Sequence, residues 1–299
     1  MKIIQKRKIF FALSGILVAV SLFFLFLWGL RPGIDFTGGI LMEISFAEQL
    51  PNKEDLQQKL NGYELGNYSL QYTGDRSALL RFPSDSDEKG AIIAGRIEKD
   101  NPGAEVQRVE FISSVISSEL KSKAFLAVIF VVIGIAAYIA WAFRKVSFPV
   151  QSWKYGLAAI IALAHDIIIT LGFFALLGKF FEVEVGIPFI AALLTILGYS
   201  INDTIIVFDR IRENLLKAGA KENFEETVNK SINETLARSV NTSLTVILVL
   251  LAIFFFGGQS IQYFSLALLV GVFFGTYSSI FIASAALVEI WKRKLDFRK

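Results

Sequence analysis

Three ionisable side chains stand out inside long apolar stretches of this sequence: His165 and Asp166 within residues 155–177, and Asp203 within residues 185–208. A charged group at the centre of a membrane span costs about 2.5–3.5 kcal/mol on insertion scales, so such a residue is expected to face a partner or a wet path and to have a task there. The chemistry open to an aspartate in a span is proton binding and release. For that to happen near neutral pH, its carboxylate must be destabilised relative to water by roughly 4 kcal/mol. Burial alone supplies that much. Asp203 also has polar company. Thr195, Gly198, Tyr199, Asn202, Asp203 and Arg210 follow helical spacing and define a small or polar face. That face belongs against other helices or water and not against lipid. Arg238, at the start of the next apolar stretch, is a candidate counter-charge: approaching, it favours the carboxylate, and withdrawing, it favours the acid. It equally fits an ordinary basic flank of a span. Asp203, Arg238 and Asn202 thus form the candidate proton-coupling set, with Asp166, His165 and Tyr199 as secondary candidates. Asp166 suits a second relay site and His165 a proton shuttle. Helix-to-helix hydrogen bonding is the competing reading for each.

Other chemistries are excluded or weak. The sequence has no cysteine and one histidine, so thiol nucleophiles, disulfides and multi-histidine metal sites are out. Two acids on neighbouring spans raise an intramembrane aspartyl protease dyad of Asp166 and Asp203. No Gly-x-Gly-Asp run surrounds Asp203, and the two acids fall at different depths. The run Gly33-Ile34-Asp35-Phe36-Thr37-Gly38-Gly39 has the wrong glycine spacing for a phosphate loop and no following Lys-Ser/Thr pair, and reads as a tight chain reversal. Gly271 and Gly275, spaced Gly-x-x-x-Gly, suit close helix packing.

The elements that must hold these residues are membrane spans. Of the 299 residues, 54% are hydrophobic and 28 are phenylalanine, more apolar surface than a soluble fold readily buries. Six segments qualify as spans: residues 9–30, 124–143, 155–177, 185–208, 240–256 and 264–291. The first has a basic start but no small-x-small cleavage site, and reads as an uncleaved anchor. Basic residues cluster at the N-terminus, beside Arg144 and Lys154, through Asp209 to Arg238, and in the tail, which places both termini in the cytoplasm. The domains are then 1–30 (N-terminus and span one), 31–123 (an extracytoplasmic domain) and 124–299 (spans two to six). The middle segment reads βαββαβ, a ferredoxin-like α+β unit. Its strand entry is Ile34 to Phe46, and its turn is Thr73-Gly74-Asp75-Arg76. Its second helix spans Asp85 to Lys99, with Asp85 as N-cap and Ile92, Ile93 and Ile97 on one face. Ser113 to Lys123 reads as an amphipathic connector.

These residues bring a family into view. The chain resembles the SecF family, the smaller subunits of the SecD–SecF accessory complex of bacterial protein export. The matching runs are Gly33 to Gly39, His165-Asp166, Gly198-Tyr199-Ser200-Ile201-Asn202-Asp203-Thr204, Val207 to Asn214, Arg238-Ser239-Val240-Asn241-Thr242-Ser243 and Gly275 to Phe281. They occur in order across nearly the whole chain. It departs at Phe111-Ile112-Ser113-Ser114, where a Val-Gly-Pro-like turn is expected. The resemblance implies a six-span RND-type half-transporter in the bacterial cytoplasmic membrane. It also implies a separate SecD partner, contacts with the SecYEG translocon and with YidC and YajC, and the exported polypeptide as substrate. It implies no enzymatic activity, no cofactor and no nucleic acid, with H+ as the coupling ion. Under it, Asp203 is the family's membrane acid and Arg238 its basic companion. A proton-independent assembly scaffold remains the alternative that residue types alone leave open.

Overall fold

The structure, a computed structural model, describes residues 1–73, 76–144, 150–218 and 223–296. It divides into two units. One is helical and comprises Met1–Leu30, Ala127–Val183 and Pro188–Lys299. The other comprises Arg31–Leu126 together with Glu184–Ile187.

The second unit is the α+β domain. It follows the first long helix, α1 (Arg7–Leu27), and opens with a one-turn helix, α2 (Ile34–Thr37). There follow β1 (Gly39–Phe46), α3 (Lys53–Asn61), β2 (Ser69–Thr73), β3 (Ser77–Phe82), α4 (Glu88–Asp100) and β4 (Ala104–Ile112). The sheet is antiparallel in the order β2-β3-β1-β4, the split βαβ arrangement that the element order predicts. Alternation sets the register. Ile40, Met42 and Ile44 pair with Phe82, Leu80 and Ala78, and these six side chains are buried with Leu56 and Leu60 of α3 and Ile93 and Ile97 of α4. Slipping β1 by one residue would turn that whole set to the other face.

Several sequence expectations change in detail. The strand entry opens with α2, and the strand proper starts at Gly39. Gly38 and Gly39 have φ of 74° and 119°, and a Cβ on Gly39 would meet Phe82 O at 2.6 Å, so the second glycine is required by both conformation and space. Helix α4 starts at Glu88, with Ser86 Oγ accepting from Glu88 N in place of the expected Asp85 cap. Ile92 is 58% exposed while Ile93 and Ile97 are buried, because adjacent helical residues point about 100° apart. In β4 a bulge opposite Glu43 and Ile44 explains how Val106 and Val109, three residues apart, can pair with Ile44 and Met42. The expected connector is the first part of a continuous helix, α5 (Ser114–Ala142). Gly74 and Asp75 of the expected β2–β3 turn lie outside the described residues.

The helical unit contains α1, the rest of α5, α6 (Ser152–Phe181), α7 (Ile187–Ala218), α8 (Phe224–Phe256), α9 (Gln259–Ser278) and α10 (Ser284–Asp296). A π-helical turn, Ser279–Ala283, joins α9 to α10. Among the described residues, six helices are long and apolar enough to cross a membrane, and the chain is a multi-pass membrane protein. Most of the interior comes from α6, α7 and the α9–α10 span. By contrast α1, α5 and α8 turn large apolar side chains outward, among them Phe26, Phe125, Phe130, Leu248 and Phe256. Small residues let the helices close up. A Cβ on Gly271 would lie 2.2 Å from Ile196 Cδ1 of α7, and one on Gly275 would lie 3.1 Å from Ser200 Cβ.

Candidate functional site

The site lies where α6, α7, α8 and α9 meet. On α7 the inward face is Ile196, Ser200, Asp203, Thr204, Val207 and Ile211, all buried. Thr195, Gly198 and Asn202 are exposed and Tyr199 is half-buried. The polar stripe read from the sequence is therefore split along its length. Asn202 and Asp203 are neighbours in sequence but about 100° apart around the helix, and only the acid turns into the bundle. Arg210, the last member of the stripe, is taken by Glu234 and Glu213 at 2.6 and 2.5 Å.

Two polar chains cross the interior. In the first, Asp166 accepts at Oδ2 from Ser200 Oγ (2.6 Å) and Ser278 Oγ (2.8 Å), and Oδ1 is hydrogen-bonded to His165 Nδ1 at 2.9 Å. One carboxyl thus ties α6, α7 and α9 together. Beside it Thr204 and Ser279 are linked at 2.8 Å, and Ser279 donates to the carbonyl oxygens of Ser200 and Gly275. Ser279 opens the π-helical turn, a helix irregularity that often accompanies functional sites. The His165 ring stacks on Tyr277, with centroids 6.0 Å apart, and its buried Nε2 has no partner. In the second chain, Tyr199 donates to Ser243 Oγ at 3.1 Å, and Ser243 and Thr276 lie 2.5 Å apart, joining α7, α8 and α9.

Asp203 belongs to neither chain. It is 5% exposed and its Oδ2 is buried without a hydrogen-bond partner. The Ser239 hydroxyl of α8 lies beside it, and Ser239 Oγ is also buried without a well-aligned hydrogen-bond partner among the described residues. A buried carboxyl oxygen and a hydroxyl thus lie side by side without a well-formed hydrogen bond, an arrangement rare in folded interiors.

Among the described residues Arg238 makes no ion pair with Asp203. It is exposed, one residue and about 100° away from the Ser239 hydroxyl that occupies the neighbouring position. Nor do Asp166 and Asp203 share a hydrogen bond; the acceptors of Asp166 are engaged by His165, Ser200 and Ser278. That is not the proton-sharing geometry of an aspartyl protease dyad. Ser200, Ser239 and Ser243, uncharged and so not evident as candidates from charge alone, also line the site. Their signal was a run of Ser and Thr in apolar spans at helical spacing, such as Ser200 with Thr204 and Ser239 with Ser243.

Removing the Asp166 carboxyl should be costly. In Asp166→Leu the His165 and Ser200 donors lose their acceptor, at about 1–3 kcal/mol for each buried group left unpaired. Asp166→Asn keeps an acceptor oxygen. Thermal unfolding of the purified protein, followed by tryptophan fluorescence, should show a much larger drop in Tm for the leucine variant. Equal melting of the two would mean that the carboxyl does not organise the three helices.

Comparison with known proteins follows the same residues. Residues 93–293 match the family described as protein export membrane protein SecD/SecF, C-terminal, and residues 23–49 match the SecD/SecF GG motif. The chain belongs to the SecD/SecF family. It is similar to the protein translocase subunit SecF of Thermobaculum terrenum, with 43% identity covering 99% of this chain and 95% of the relative. It is likewise similar to that of Haemophilus influenzae, with 36% identity covering 96% and 85%. Among solved structures it resembles SecDF of Thermus thermophilus, described as a translocon-associated membrane protein, with a TM-score of 0.83 and 38% identity over 97% of this chain. It spans 38% of the length of that SecDF chain. Within this SecD/SecF-family chain the GG motif is the Gly38-Gly39 reversal that starts β1, and the C-terminal match includes every member of both polar chains described above.

Proposed function

We propose that this chain is the SecF half of a SecD–SecF complex that couples proton flow to a late step of Sec-dependent polypeptide translocation across the bacterial cytoplasmic membrane. The observation that carries this reading is Asp203: a carboxyl buried in a span, beside one hydroxyl that lacks a well-aligned partner, with no ion-pair partner among the described residues. Such a group can take up and lose a proton without first breaking an ion pair. Both termini lie in the cytoplasm and the α+β domain on the opposite face, in keeping with the distribution of basic residues. A proton crossing 100 mV releases ~2.3 kcal/mol, enough to bias a two-state arrangement of helices by roughly fifty-fold.

A second bundle has to complete the site. Thr195 and Asn202 of α7, and Arg238, Asn241, Thr242 and Thr245 of α8, are exposed polar residues on helices that cross the membrane. The Tyr199–Ser243 hydrogen bond places the two helices side by side at this level. Lipid is a poor cover for such a surface, and SecD is the partner we assign to it. The length of the Thermus SecDF chain beyond the match is what SecD would supply. In this setting Arg238, exposed on its own, becomes available to the proton path at the subunit interface. SecYEG, YidC and YajC are the further partners, and the exported chain is the substrate.

The test is export driven in vesicles that contain the translocon, SecD and this chain. Stimulation of export should require the proton gradient and vanish when an ionophore dissipates it. Stimulation that persists without the gradient would support a scaffold and overturn proton coupling. Arg238→Gln separates the same two readings: a scaffold tolerates it, whereas a proton path lined by Arg238 should lose several-fold in gradient-driven export with the SecD complex intact.

A further inference from the structure

Within the α+β unit, the segment that follows α1 grips the loop that leads into α7. Gly33 N donates to Val185 O at 2.9 Å and Val185 N donates to Arg31 O at 2.8 Å, forming a parallel bridge between Pro32 and Val185. The Glu184 carboxylate, its side chain only 10% exposed, meets Arg81 Nε at 2.8 Å and Arg31 Nε at 3.8 Å. Asp35 Oδ2 accepts from Ile187 N at 2.7 Å. Ile187 is the first residue of α7. The amides of a helix's first turn lack intrahelical acceptors, and Pro188, next in line, has no amide hydrogen. Asp35 therefore takes the leading donor of α7 and sets a carboxylate at the positive end of its dipole. The loop Glu184–Ile187 is by its contacts a piece of the α+β domain, and by its covalent chain the start of the helix that carries Asp203.

We propose that Asp35 and Glu184 are positioning residues that fasten the start of α7 to the α+β domain, so that a displacement of α7 following a change of charge at Asp203 is delivered to that domain through Ile187. Sixteen residues of helix, about 24 Å, separate Ile187 from Asp203, and a helix transmits axial movement over that length as a rod. The proposal rests on the proton-coupling reading of Asp203. It gives the Asp of the GG-motif segment a task that the chain reversal alone does not require, since Gly38 and Gly39 make the turn.

The absence of cysteine makes the joint measurable. Val185 is 4% exposed, so Val185→Cys gives a single, protected thiol at its centre. The complex with SecD is placed in nanodiscs and labelled with a maleimide. Asp35→Ala should raise the labelling rate roughly tenfold, the effect of losing one charge-assisted hydrogen bond. Asp35→Asn, which keeps an acceptor oxygen, should restore most of the protection. In cells with equal protein levels, Asp35→Ala should impair export and Asp35→Asn should impair it less. Unchanged labelling in Asp35→Ala overturns the fastening, and raised labelling with full export overturns its role in transport. Asp203→Asn is run beside them. Should it export normally, the proton reading fails by itself, and the fastening still stands or falls on the labelling of Asp35→Ala.

Discussion

Asp203→Asn should abolish gradient-driven stimulation of export while the chain accumulates normally in the membrane and still purifies with SecD. Asparagine is nearly the same size as aspartate and cannot ionise. Because Asp203 Oδ2 has no hydrogen-bond partner and Asp203 forms no ion pair among the described residues, the substitution breaks no bond that holds the bundle together. Stability and assembly should therefore change little, and what is lost is the alternation between a neutral and a charged side chain. At 100 mV that alternation carries ~2.3 kcal/mol per proton, a bias of about fifty-fold, so stimulation should fall by an order of magnitude or more. Asp203→Glu keeps an ionisable group but moves its carboxyl one methylene deeper into a packed interior, where overpacking costs about 1–3 kcal/mol. It should export at an intermediate level. Preprotein processing in cells that depend on the variant reads all three states. Normal export by Asp203→Asn at normal protein levels would remove Asp203 from the mechanism.

Gly172→Ala should be among the most damaging single-methyl changes in the helical unit. A Cβ at Gly172 of α6 would lie 2.3 Å from Ser21 Cβ and 2.5 Å from Ser21 Cα of α1. Rotating a side chain cannot relieve a collision with backbone, so α1 and α6 must separate. That would loosen a contact that also includes the buried Ser21 hydroxymethyl group. The expected loss is about 3 kcal/mol, at the upper end for overpacking. Gly271→Ala tests the reasoning, because its Cβ would meet the Ile196 side chain and not backbone. Both Ile196 Cγ atoms lie within 2.8 Å of that Cβ, and a β-branched side chain is stiff in a helix. Helices α7 and α9 must therefore also give way, but by less than a collision with backbone demands, and this variant should be milder. Melting curves of the two purified variants against the parent chain decide the order, and a Gly271→Ala protein less stable than Gly172→Ala would show that side-chain contact, not backbone approach, limits these interfaces.

Gly172 was not legible in the sequence, whereas Gly271 and Gly275 were. The second pair announces itself by spacing on one helix. Gly172 matters only because of Ser21, which is 151 positions away in the chain, and no local pattern reports that meeting. The α+β domain shows the same division. Its strand and helix order followed from periodicity, but the bulge in β4 depends on the strand it faces, and the exposure of Ile92 on how its helix is rotated over the sheet.

What the sequence by itself determined is the set of spans, the βαββαβ order, and the identity of the acids that pay for a place in an apolar segment. These follow from local composition and period, because transfer into lipid and the pitch of a helix act residue by residue. Tertiary structure decided which acid is free. The sequence ranks Asp203 above Asp166 by its polar neighbours but does not show their partners: Asp166 collects His165, Ser200 and Ser278, and the Asp203 Oδ2 oxygen has no well-aligned partner among the described residues. Packing also turned Arg238 outward and set Ser239 beside Asp203, and it brought Asp35 onto the first amide of α7 across 152 positions. Each of these depends on how helices rotate against one another, and rotation is fixed by the fit of whole faces, which no single stretch of sequence contains.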